Sequence, residues 1–241
     1  MQLVIDIGNS KTKVGYFEGT NFLKKEEIDS LASFQKIFGK TPPKHIVIGK
    51  VGVDRAAVIS WLQQKNVSFF WVDSMTRTPL KILYKSPHTL GVDRIAAAVG
   101  AWVTFLHKAV LVIDLGSCIT YDLVTANGEY LGGAISPGIY LRYKAMSTFT
   151  ANLPALKFDG FPPLIGRSTE ECMQSGVVNG VLFEIEKMIE AYRKEIGDFE
   201  VILTGGDSNF FESKIKANIF VNQNLILEGL NTILLSNVSE I

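Results

Sequence analysis

Three aspartates stand out by the residues around them. Asp6 closes an apolar run and is followed by Gly8, Ser10 and Thr12 in "VIDIGNSKTK". Asp114 repeats the arrangement 108 positions later, with Gly116, Ser117 and Thr120 in "VIDLGSCIT". Asp93 lies between them in "LGVDR", ahead of the alanine-rich "IAAAVGAW". A strand that ends in Asp-x-Gly and turns back with small and hydroxyl residues exposes several backbone N–H groups, and such a concavity suits phosphate oxygens. The carboxylate itself repels phosphate, yet it can hold a cation that binds phosphate. Two such turns facing each other across a cleft would grip a polyphosphate from both sides. On spacing alone Asp93 reads as a cap on the helix that follows.

The elements that must position these groups are themselves repeated. Val4, Ile5, Asp6, Gly8 and Thr12 match Val112, Ile113, Asp114, Gly116 and Thr120. In each copy an apolar run breaks at Asp-x-Gly and resumes as an alternating run, which predicts a strand, a tight turn and a second strand near 12–17 and 119–125. After the first copy the pattern predicts a strand at 21–28, a helix near 30–38, a strand at 45–49, a helix near 54–65 and a strand at 68–73. After the second it predicts a strand at 129–135, reached through an "ANG" hairpin turn, and a helix near 139–152. An extra long helix runs from Ser168 to about Ile196, followed by a strand at 201–206, a short strand near 219–221 and a last helix from about Glu228. Without the long helix both halves read βββαβα. The expectation is an α/β protein of two duplicated domains, 1–107 and 108–241, with a polyphosphate cleft between them and the inserted helix in the second.

The long helix has a legible start. Ser168 can cap its free N–H groups while Glu171 reaches back, a capping box. Gly176 and Gly180, four apart, leave one flank bare for another helix, either of this chain or of a second subunit. "DGFPPLIG" at 159–166 reads as a loop.

Composition narrows the partners. With 24 basic and 24 acidic residues the net charge is zero, so nothing favours a nucleic acid. "IAAAVGAWVTFLH", from Ile95 to His107, is too short for a membrane span and reads as a buried helix. The amino terminus enters a strand without a basic and apolar leader, so no signal peptide is expected. Cys118 and Cys172 lack metal-ligand spacing and point to free thiols in the cytoplasm. The three histidines, His45, His88 and His107, are too scattered for a metal site.

Four segments, "DIGNSKTK" at 6–13, "LGVDRIAAAVGAW" at 90–102, "VIDLGSCITYD" with "GEYLGGAISPGI" at 112–139, and "IGRSTEECMQSG" at 165–176, carry a resemblance. The chain resembles the superfamily of actin-like ATPases and sugar kinases and, within it, the type III pantothenate kinase family. That resemblance implies two actin-like, ribonuclease H-like domains with ATP between them. It implies phosphorylation of pantothenate to 4'-phosphopantothenate, the first step of coenzyme A synthesis. By the same resemblance Asp93 is the general base, and Tyr84, Gly91, Val92, Arg94 and Thr169 contact the substrate, Thr169 across a homodimer. Asp6 anchors Mg2+ through water, with Ile7, Gly8, Asn9, Ser10, Lys11, Thr12, Lys13, Ser117 and Thr120 around the nucleotide. Asp114 holds a monovalent cation, K+ or NH4+, while Asp122 either belongs to that pattern or finishes its hairpin. "TGGDS" at 204–208 would lie against the base.

The chain departs from the family at several points. Ser10 and Ser117 stand where threonine is usual, Cys118 replaces an alanine, and Lys50 lies in a stretch that is serine-rich in the family. A second "GVDR", at 52–55, lacks the leucine before it and the alanine-rich helix after it. A kinase of the same superfamily with another acceptor, or an inactive nucleotide-binding regulator, are the alternative readings.

Overall fold

The computed structural model describes residues 1–7, 12–28, 45–49, 60, 62–64, 69–106 and 108–237. The chain forms two compact units. The first comprises Met1–His107, Val124–Leu131 and Asn224–Ile241, the second Lys108–Leu123 and Gly132–Gln223.

The first unit is built on strands β1 (Gln2–Ile7), β2 (Thr12–Glu18), β3 (Asn21–Ile28), β4 (His45–Gly49) and β5 (Phe69–Val72), in the order β3-β2-β1-β4-β5. β1 runs antiparallel to β2 and parallel to β4, so it sits where the connection pattern changes. Its near-continuous burial follows from that central place. Leu3, Ile5 and Ile7 point to one face and pack with Val14, Tyr16, Ile46, Ile48 and Leu62. β3, with the sequence "NFLKKEEI", carries its charges on an edge that must not pair further. A short strand β6 (Lys81–Ile82) pairs in parallel with Glu129 and Tyr130.

Among the described residues two long helices pack together in this unit, α1 (Val92–Thr104) and the helix Leu225–Asn237. They touch backbone to backbone: a Cβ on Gly100 would lie 2.5 Å from the Leu225 carbonyl oxygen, and one on Gly229 would overlap that of Ala96. The small residues of "IAAAVG" are what permit this approach. Asn231 Nδ2 donates to the Gly19 carbonyl at 2.9 Å and Asn237 Nδ2 to that of Arg77 at 3.0 Å. The terminal helix therefore belongs with the first unit, and a single cut near residue 107 does not describe the chain.

The second unit contains β7 (Val110–Leu115), β8 (Cys118–Val124), β9 (Glu129–Pro137), β10 (Glu200–Thr204) and β11 (Phe220–Val221). They lie in the order β9-β8-β7-β10-β11, which matches the order of the first sheet, and β6 adds a sixth strand beside β9. The β8–β9 turn closes with Gly128 at φ 75° and its amide on the Thr125 carbonyl, a three-residue loop that needs a left-handed glycine. α2 (Ile139–Phe149) and α3 (Thr169–Ile196) cover the sheet, followed by α4 (Ser208–Glu212) and then α5, the label used here for Leu225–Asn237. Val177, Val181, Ile185 and Ile189 of α3 recur every four residues and pack on Leu111, Ile113, Leu115, Ile119, Tyr121 and Leu123.

The capping box at α3 forms with a shift of one residue. Ser168 Oγ accepts the Glu171 N–H at 3.2 Å, but the Glu171 carboxylate reaches the N–H of Arg167 at 2.7 Å. The helix expected at 30–38 lies outside the described residues, as does most of that at 54–65, of which 60 and 62–64 are helical. β6, a 3-10 turn at Pro87–Thr89 and α4 were not anticipated. Among the described residues no helix is long and apolar enough to cross a membrane.

Candidate active site

Asp6 is the penultimate residue of β1, opposite Lys13 on β2 and Gly49 on β4. Ligands of open α/β sheets gather at the carboxyl ends of strands where the connection direction switches, and Asp6 occupies such a place. It is buried, and burial pushes its carboxyl up to about 6. The positive charge of Lys13 acts against that rise, and the negative charge of Asp93 adds to it. Asp93 thus lies within electrostatic reach of Asp6, although the two are 87 positions apart in sequence.

Asp93 stands in the first turn of α1, exposed, with Gly91 at the N-cap. Its Oδ1 accepts the N–H of Arg94 at 2.9 Å, one of the helix donors that lack an internal partner. A Cβ on Gly91 would collide with that oxygen, so glycine is what leaves the carboxylate its position. Arg94 is buried, and its guanidinium carbon lies 5.8 Å from the centre of the Tyr84 ring, at cation–π distance. Tyr84 in turn meets Tyr130 at 6.2 Å between ring centres. Tyr84 and Arg94 thus meet around the first turn of α1 with Gly91 and Asp93, and of these Asp93 is the one whose charge reaches Asp6, while Val92 is buried in the core. Ile7 is buried in the core, so only its backbone can meet a ligand. Thr12 and Lys13 are half-buried on β2, whereas Gly8, Asn9, Ser10, Lys11, Lys50 and the second "GVDR" lie outside the described residues.

In the second unit Asp114 is the penultimate residue of β7, the counterpart of Asp6, and pairs in register with Thr204. Glycine flanks it on two sides. A Cβ on Gly116 would come within 3.2 Å of its Oδ1, and one on Gly205 would collide with it. Gly205 also has φ 91°, so a side chain there is excluded twice. "TGGDS" folds back on β7 through the Asp207 N–H to the Leu115 carbonyl at 3.1 Å, and burial raises the Asp207 carboxyl.

The second turn offers fewer free donors than its sequence suggests. The Gly116 N–H is taken by the Cys118 carbonyl at 3.1 Å, and Ser117 is exposed with its carbonyl on the Gly138 N–H. The Thr120 hydroxyl donates to Asp122 at 3.0 Å. Asp122 is fully buried within β8, away from the turn that closes the hairpin. Thr169 is the exposed first residue of α3. Among the described residues no group of three or more histidine, cysteine or acidic side chains could form a protein-only metal cage.

The profile of the type III pantothenate kinase family matches residues 2–191. A type III pantothenate kinase of Flavobacterium johnsoniae is 41% identical over 238 residues, covering 96% of each chain. The chain belongs to the type III pantothenate kinase family.

This is a family of ATP-using kinases, and the solved structures extend the likeness. A Campylobacter jejuni protein described as a Baf family transcriptional activator shares 25% identity and a TM-score of 0.66, over 98% of this chain and 99% of that one. The inorganic polyphosphate/ATP-glucomannokinase of an Arthrobacter strain, at 14% identity and a TM-score of 0.53 over 98% of both chains, shares the fold alone. The sequence led to an α/β, actin-like fold, and the two mixed sheets seen here are the architecture of this wider group.

Within a type III pantothenate kinase framework, two features escaped the sequence. The steric roles of Gly91, Gly138 and Gly205 have no signal beyond the glycines themselves. Glu184 interrupts the apolar stripe of α3 next to Ile185, and a charge at such a position was the available hint of an internal partner.

Proposed function

We propose that the chain transfers the γ-phosphoryl group of ATP to the primary alcohol of pantothenate, giving 4'-phosphopantothenate at the first step of coenzyme A biosynthesis. The observation that carries this reading is the family match over residues 2–191, and the placement of Asp93 where its charge reaches the buried Asp6 supports it.

Asp93 is the general base. One carboxylate oxygen is held by the Arg94 amide, and the other takes the proton of the alcohol as that oxygen attacks the γ-phosphorus. The new O–P bond forms as the bond to the β,γ-bridging oxygen breaks, ADP leaves, and the proton stays on Asp93. Positioned bases typically supply about a hundred- to ten-thousand-fold in rate. Arg94 and Tyr84, at cation–π distance from each other, orient pantothenate with Gly91 and Val92. By the family resemblance residues 7–13 of the first unit bind the nucleotide, and Ser117 is the nucleotide contact of the second.

Mg2+ fits at Asp6 through water, because a buried carboxylate that faces the negative charge of Asp93 gains from a cation, and Mg2+ usually takes one or two carboxylates plus phosphates. When bound it offsets the charge of the phosphates. By the family resemblance Asp114, which Gly116 and Gly205 approach closely, is the ligand for K+ or NH4+. Two chains pair along α3, so that Thr169 reaches the partner's substrate. In support, a Cβ on Gly176 or Gly180 would meet no atom of the described residues within 4 Å, and Phe183 is half exposed. The exposed free thiols of Cys118 and Cys172 suit the reducing cytoplasm.

ADP release measured with pantothenate, common sugars and acetate as acceptors tests the reading. Turnover with pantothenate is expected; turnover with a sugar and none with pantothenate would overturn it.

A further inference from the structure

Glu184 sits midway along α3 and takes no part in the mechanism above. Its Oε1 accepts the Ser136 hydroxyl at 2.5 Å and the Tyr121 hydroxyl at 3.0 Å, and its Oε2 is ion-paired with Arg142 of α2. Both partners of the pair are about three-quarters buried. Arg142 does more than neutralise a charge. Its Nε donates to the Pro137 carbonyl at 2.8 Å, and its backbone N–H donates to the Gly138 carbonyl at 3.0 Å. Two successive carbonyls are thereby fixed by one residue. The N–H of the same Gly138 donates to the Ser117 carbonyl at 3.1 Å. A Cβ on residue 138 would lie 2.7 Å from that oxygen, so Gly138 approaches as closely as backbone can.

We propose that Arg142 and Glu184 are positioning residues for the nucleotide: they hold the Pro137–Gly138 segment against Ser117 and so tie the second phosphate turn to the long helix. The inference rests on the assignment of Gly116–Ser117 to the phosphates of ATP. A partly buried ion pair adds little net stability over apolar residues of similar volume, so geometric definition is the property it best supplies. Guanidinium suits this task because its planar fork serves Pro137 and Glu184 at fixed angles, which a lysine ammonium does not reproduce. Phosphoryl transfer is sensitive to such placement, since displacement by about 1 Å can lower the rate a hundredfold.

The test compares wild type, Arg142→Lys, Glu184→Gln and Tyr121→Phe. ATP binding with Mg2+ is read by calorimetry without acceptor, and KM is measured for each substrate separately. Arg142→Lys and Glu184→Gln should weaken ATP binding and raise KM for ATP by about tenfold, the equivalent of one charge-assisted hydrogen bond. KM for pantothenate should stay within about twofold in both. Tyr121→Phe keeps the ion pair and should leave ATP binding within about twofold. Arg142→Lys preserves the charge balance and carries the test alone if Glu184→Gln does not fold. Unchanged ATP affinity in folded variants, whatever their melting temperature, reduces the network to a structural role and overturns the inference. If those variants bind ATP normally while wild type phosphorylates pantothenate, the inference alone fails; if wild type binds no ATP, the phosphate assignment falls with it.

Discussion

Gly91 leaves the space that the Asp93 carboxylate occupies: a Cβ on residue 91 would collide with the oxygen that accepts the Arg94 amide. Gly91→Ala should displace this carboxylate and little else, because the obstructed atom ends a flexible side chain. We expect turnover to fall about tenfold or more while stability changes by about 1 kcal/mol or less, the scale of a glycine-to-alanine change at an N-cap. In an Asp93→Asn background the same substitution should add almost nothing, since both act through one group. Kinetics and urea unfolding on the three variants check this, and full additivity would contradict it.

The contact of α1 with α5 predicts the opposite profile. At Gly229 an added methyl would meet backbone of Ala96, with its carbonyl carbon at 2.6 Å, and backbone cannot step aside as a side chain can. Gly229→Ala gains up to about 1 kcal/mol of helix propensity, yet overpacking should outweigh it and leave a net loss of about 2 kcal/mol. Urea denaturation measures the balance; a neutral or stabilised variant would dismiss the close helix contact.

Glu184 gives a pH-dependent prediction. Burial pushes its carboxyl up, but the Ser136 hydroxyl, Arg142 and the Tyr121 hydroxyl together outweigh burial and hold it below its ordinary value of 4.5. A carboxyl lowered in the folded state contributes stability above its unfolded value and loses it as pH falls through the folded value. Glu184→Gln should therefore be less stable than wild type at pH 7, by about 1–2 kcal/mol for a pair that solvent partly reaches. The difference should shrink below pH 4.5. Unfolding curves at pH 7 and near pH 4 decide it, and a pH-independent gap would show that charge is not involved.

The sequence made some parts of this arrangement legible for physical reasons that can be named. β1 and β7 were readable because a buried central strand is an apolar run, and Asp-x-Gly marks its end in each copy. The start of α3 was readable because Ser168 is a local cap. The place of α5 was not: an apolar helix face announces that it will be covered, but not that Gly229 will meet Gly100 across 129 positions. β6 has two residues and α4 five, too few for either periodicity to register. The capping reading of Asp93 described a real contact, since its carboxylate accepts the N–H of Arg94 in its own helix; that its charge reaches Asp6 could not be inferred from neighbours in the chain.

Asp114 provides a test on the second unit. If its carboxylate holds a monovalent cation, Asp114→Asn should abolish the increase in turnover that K+ or NH4+ gives wild type. Rate measured against K+ at fixed ionic strength is the readout. A variant that keeps the wild-type response would remove the cation from Asp114.

The most direct measurement is turnover and ATP binding in Asp93→Asn. The amide keeps the size of the side chain and an oxygen for the Arg94 N–H, but it cannot take a proton from the alcohol. The account predicts ATP affinity within about twofold of wild type and a fall in kcat of about a hundredfold or more. Near-normal kcat in a variant that binds ATP normally would return Asp93 to a capping role and contradict it.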